Sequence, residues 1–164
     1  MTTAHPSDRS SADRDDHRYA ETALQKAALI SGIVFLLVGL AGFIPGLTTN
    51  YSELSFAGHD SGALLLGIFQ VSVLHNLVHL LYGVAGLAFA RSRKGSRNFL
   101  IFGGIIYAVI WVYGLFFSGD HPANFVPVNS ADNWLHLFLA VAMILLGIFL
   151  SPRMPRVDRP TARP

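Results

Sequence analysis

The sequence predicts an all-α integral membrane protein, a four-helix bundle with both termini on the cytoplasmic side. Three observations predict it. Four long apolar runs follow one another, charged residues make up only 13% of the chain, and every Lys and Arg lies on one side of the alternation. A soluble domain carries about 25% charged residues, so this supply is too small to cover a globule in water.

The first run covers 24–44 and is closed by Pro45 and Gly46. The second covers 64–90, the third 99–118 and the fourth 134–151. A helix needs ~20 apolar residues to cross the hydrocarbon layer, and all four approach that length. The second is longer, which predicts a tilt or a start outside the apolar layer. Each span must satisfy its own backbone hydrogen bonds in lipid, so helices are the expected form. The 164 residues then divide into a polar tail at 1–22, a four-span membrane domain at 23–151 and a Pro- and Arg-rich tail at 152–164. The first tail is too long and too acidic for the basic start of a cleavable signal, so the first run is expected to remain as an anchor.

All 12 Lys and Arg residues fall in the two tails, at Lys26, or in the link between runs two and three at Arg91, Arg93, Lys94 and Arg97. The links 45–63 and 119–133 contain none and carry Glu53, Asp60, Asp120 and Asp132. Basic residues are retained on the cytoplasmic side, which puts both termini inside a bacterial plasma membrane. The net charge is +2 and the pI about 9.2. That basic bias is explained by topology, so no nucleic-acid partner is expected.

An internal echo links the second and fourth runs. Asn76-Leu-Val-His79-Leu80 matches Asn133-Trp-Leu-His136-Leu137. Both runs pass from outside to inside, which suggests two parallel helical hairpins related by an axis near the membrane normal.

Helical spacing places Ser72, Asn76, His79, Gly83 and Gly86 on one face of the second run, flanked by His75 and Tyr82. Asn133 and His136 begin a similar stripe in the fourth, Tyr107 stands in the third, and Gly32, Gly39 and Gly46 recur in the first. Small residues allow close backbone approach in a membrane, and Asn, Ser and His bond across the gap. These stripes are the expected inner faces of the bundle.

His75, His79 and His136 are the candidates for chemistry. Ionisable groups inside spans are costly and often functional. Histidines one turn apart suit one metal ion, and imidazoles from facing helices suit a haem. The same groups can instead lock helices together through hydrogen bonds. A helix starting at Leu64 would set His75 and His79 roughly 16 to 23 Å along it. The chain has no cysteine, which excludes thiolate sites. No acid–base pair stands within the spans, so no enzyme activity is expected. The loop pairs His59-Asp60 and Asp120-His121 lack a third ligand for a metal.

The stretches HNLVHLLYGVAGLAFA and ADNWLHLFLAVAMILLGI resemble a family of small actinobacterial membrane proteins catalogued as a domain of unknown function. The matching positions are Asn76, His79, Leu80, Gly83, Gly86, Asn133 and His136, within about 24–150. The resemblance implies four spans in an inner membrane and no established activity. The leading expectation is therefore a structural or accessory helix-bundle protein of the lipid bilayer, acting with copies of itself or within a larger membrane complex. The alternatives are a metal- or haem-binding protein using His75, His79 and His136, and an oligomeric proton-linked or solute carrier. No cofactor is required by the first reading; a haem or a divalent metal is what the second admits.

Overall fold

The computed structural model describes residues 19–151, so the tails at 1–22 and 152–164 fall outside it except for 19–22. Four helices form: α1 (Ala23–Ala41), α2 (Val73–Phe89), α3 (Arg93–Phe117) and α4 (Ser130–Phe149). α1, α3 and α4 have 19, 25 and 20 residues and are long and apolar enough to cross a membrane. α2 is apolar and has 17 residues. Apolar side chains such as Leu37, Leu81, Phe102, Phe116 and Phe138 point outward along all four. That is the surface expected where lipid, not water, is the solvent.

α1 starts with a capping box. The Thr22 hydroxyl accepts from the Gln25 N–H, and the Gln25 side-chain oxygen accepts from the Thr22 N–H. The buried Gln25 amide then donates to the Ala90 carbonyl at 3.2 Å, tying the start of α1 to the end of α2. α1 pairs chiefly with α2, and α3 with α4. The two hairpins run the same way.

The second run departs from its expected extent. Residues 64–90 are not one helix: β2 (Leu64–Leu65) and β3 (Phe69–Gln70) precede α2. The cause is local. Leu66 and Gly67 both adopt positive φ, 54° and 72°, which reverses the chain between paired strands. Ser72 then caps α2 by accepting from the His75 N–H. Ser72 is thus a helix cap and not part of the helical face. β1 (Thr48–Thr49) completes an antiparallel sheet of order β1-β2-β3, with Thr48 opposite Leu65 and Leu65 opposite Phe69. α3 in turn begins six residues before 99. Ser92 caps it by accepting from Gly95 N–H, so most of the basic link is its first two turns.

The sheet and the 118–129 link cover one end of the bundle and are joined to it. Gly58 N–H donates to Phe125 O at 2.6 Å, and Asn129 Nδ2 donates to Ile68 O at 2.8 Å. Asp132, expected in a loop, is 2% exposed in the first turn of α4. One of its oxygens accepts from both Gln70 N–H and Asn129 N–H at 3.0 Å. Asp132→Ala strands two half-buried backbone donors and is expected to cost about 2 kcal/mol. Thermal unfolding in detergent should show a clear fall in Tm for it and none for Asp60→Ala, whose side chain is 83% exposed.

The hairpins repeat each other's contacts. A Cβ on Gly32 would lie 2.9 Å from both Gly83 O and Leu87 N, and one on Gly104 would lie 2.9 Å from Ala140 O and 3.1 Å from Ile144 N. Asn76 packs its carboxamide on Gly42, and Asn133 packs its own on Gly114. A shift of 72 residues therefore carries α1 onto α3 (Gly32 to Gly104, Gly42 to Gly114). A shift of 57 carries α2 onto α4 (Asn76 to Asn133). Phe35 and Tyr107 are equivalents under the first shift, and their rings stack on each other at 5.5 Å and 7°. They mark the approximate two-fold axis.

Candidate metal centre

The three histidines converge beneath the covered end of the bundle. His79 and His136 are each the seventh residue of their helix, which is ~10 Å below its start. His75 stands in the first turn of α2, far shallower than a helix from Leu64 would place it. All three are at least nine-tenths buried: His75 is 6%, His79 8% and His136 5% exposed.

The Nε2 atoms of His75 and His79 are 3.1 Å apart. One ligating nitrogen from each of the three histidines lies within 4.8 Å of the other two. In a tetrahedral site with metal–nitrogen bonds of ~2.0–2.1 Å, ligand nitrogens stand ~3.3 Å apart. The His75–His79 pair already has that spacing, and His136 needs a small ring movement to reach it. No Nδ1 of the three has a hydrogen-bond partner within the protein. The Pro127 and Gln70 carbonyls lie beside the His75 ring without reaching hydrogen-bond geometry at Nδ1. A metal-bound imidazole typically directs its other N–H to such a carbonyl.

The rings around the cluster follow the two-fold relation. Phe35 meets His79 edge-on at 5.7 Å, and its equivalent Tyr107 meets His136 at 5.3 Å. These contacts brace the rings of His79 and His136. His75 breaks the symmetry, because its equivalent is Asp132. The three-histidine set is therefore one site near the axis and not one of a pair. Among the described residues it is the one group of three or more His, Cys, Asp or Glu side chains placed to hold a metal.

A family model, Domain of unknown function (DUF4383), matches residues 25–149. The chain belongs to the DUF4383 family. The likeness read from the Asn76–His79 and Asn133–His136 blocks is thereby confirmed. No curated protein and no solved structure matches this DUF4383 chain.

The positions singled out in the DUF4383 sequence separate into two sets. His75, His79 and His136 come together, with Tyr107 against His136. Gly83 and Gly86 instead admit α1: a Cβ on Gly86 would lie 2.6 Å from Gly32 Cα. Asn76 and Asn133 serve the matched helix crossings. His59 and Asp60 pair at 3.1 Å on the covered end, apart from the cluster. Sequence reasoning missed Phe35 and Asp132. The signal for Asp132 was present, because the shift of 57 also carries cap Ser72 onto cap Asn129 and His75 onto Asp132.

Proposed function

We propose that this DUF4383 protein is a plasma-membrane metalloprotein that holds one divalent first-row metal ion, zinc by preference, on His75, His79 and His136. The observation that carries this reading is the convergence of three buried imidazole nitrogens from two helices. Three neutral nitrogens and no thiolate suit zinc or copper(II), and leave one tetrahedral position for a non-protein ligand. A haem uses at most two axial imidazoles and would leave the third against its face.

The test is elemental analysis and an absorption spectrum on protein purified in detergent after zinc loading. About one zinc per chain, with no Soret band, is the expected result. A Soret band would replace the ion with haem. Protein that keeps no metal after micromolar loading would return the histidines to a packing role in an accessory protein.

The same reading sets both termini in the cytoplasm. Lys26, Arg91, Arg93, Lys94 and Arg97 lie at the end where α1 begins and α2 finishes, opposite the β1–β2 link that carries Glu53 and Asp60. Basic residues resist export, so the metal lies near the outer face. The chain lacks cysteine, so single replacements report cleanly. Cys at Asp120 should react with an impermeant maleimide in intact cells, and Cys at Ser92 only after lysis. The reverse pattern would invert the topology.

A further inference from the structure

Two lateral cavities reach the histidine cluster from opposite sides of the bundle. One, of 330 Å³, lies between α2 and α3 under the 118–129 link. The other, of 90 Å³, lies between α1 and α4. They are equivalents under the two-fold relation: Val78 and Ile110 line the first, and their counterparts Leu135 and Val38 line the second. Both have His79 and His136 at the inner end. The difference is what fills them. Leu65, Leu66 and Phe69 of the β2–β3 hairpin close the smaller one, while the larger keeps a mouth at Val78, Val109 and Phe125. Those three side chains are 43%, 64% and 59% exposed.

We infer that the α2–α3 cavity admits a lipid-soluble amphiphile sideways from the bilayer and brings an oxygen-donor head to the fourth position of the metal. This rests on the metal-centre reading above. A volume of 330 Å³ is at the small end of pockets that hold small molecules. Its wall carries no charged side chain, and its mouth opens among apolar residues, so the body of the occupant must be apolar. The head has a different requirement. A dication on three neutral imidazoles is a buried, uncompensated charge, which an oxygen anion or a strongly polarised carbonyl offsets. Tyr107 and the three histidines are polar groups positioned to orient that head, while the Tyr113 hydroxyl is spent on the Ala123 carbonyl.

The experiment uses full-length protein in nanodiscs loaded with cobalt(II), whose visible bands report the coordination sphere. Octanohydroxamate and acetohydroxamate are the probes; they share a chelating head and differ in the chain. Octanohydroxamate should shift the cobalt bands with an affinity at least about tenfold above that of acetohydroxamate after correction for partitioning. Val78→Trp, which fills the mouth, should remove that advantage while the cobalt stoichiometry stays the same. Leu135→Trp, at the equivalent place across the axis, should leave it intact. If Val78→Trp fails to take up cobalt, Val109→Trp at the exposed rim replaces it. Cobalt bands that respond equally to both probes, or that ignore the tryptophan at the mouth, would overturn the lateral route and leave the metal centre standing. Absence of cobalt bands in the unsubstituted protein would overturn both.

Discussion

His79→Ala is expected to weaken zinc binding by at least about a hundredfold, the largest effect of any single replacement at the cluster. His79 stands between the other two ligands in role. Its Nε2 is 3.1 Å from that of His75, its ring is braced by Phe35, and it stands one turn below His75 on α2. Losing it leaves two imidazoles on different helices, and nothing nearby on either helix replaces it: the closest carboxylate, Asp132, is engaged by two backbone donors. His136→Ala should follow closely. His121→Ala, in the exposed link, should change nothing. Competition with a chromophoric chelator measures all three. Equal affinities across the series would remove the ion from this cluster.

Gly32→Leu is expected to prevent the bundle from forming, and Gly32→Ala to cost about 1–3 kcal/mol. The obstacle is backbone. A Cβ at Gly32 would sit 2.9 Å from Gly83 O and from Leu87 N, and neither can move without displacing α2. Membrane helices gain little from hydrophobic burial against lipid, so close backbone approach carries much of their association. Gly104→Leu should fail for the equivalent reason, at Ala140 O and Ile144 N. Val34→Leu, at an outward position, should be neutral. Monodisperse elution in detergent and the thermal transition are the readouts. A folded Gly32→Leu protein would mean that α1 and α2 do not cross as described.

The helix count was legible because it depends on composition over long windows, and the parallel hairpins because Asn76–Leu80 is echoed at Asn133–Leu137. Apolar runs of spanning length and a charge bias are averages, and single residues seldom spoil them. The start of α2 was not legible. Leu64, Leu65, Ile68 and Phe69 are as apolar as any helical residue, and hydropathy does not register two consecutive residues at positive φ. Leu66 is an unusual residue for that conformation, which glycine adopts readily and leucine does not. The start of α3 was missed for the opposite reason: its first turns are basic, so hydropathy ended the helix where its solvent changed.

At the site, the three histidines stood out because imidazoles are rare in apolar runs. Their convergence was beyond reach, because it depends on the rotation of α2 relative to α4. The stripe through Asn76, His79, Gly83 and Gly86 was read as one inner face. In the folded chain all four are buried, and within that face Gly83 and Gly86 meet the α1 backbone while His79 meets Phe35 and the other two histidines. A bundle interior offers each helix more than one neighbour, and spacing alone does not say which residue faces which.

The histidine cluster draws two ligands from the first hairpin and one from the second, and α2 and α4 otherwise scarcely touch. An ion there would act as a reversible crosslink closing the loop from His79 to His136. Clips that close long loops reduce the freedom of the unfolded chain. Mass action sets the strength of that clip: each tenfold rise in free metal above the dissociation constant adds about 1.4 kcal/mol to the folded state. The melting point of the protein would then be a gauge of metal supply, and starvation for the ion would loosen one half of the chain from the other before either half lost its own helices.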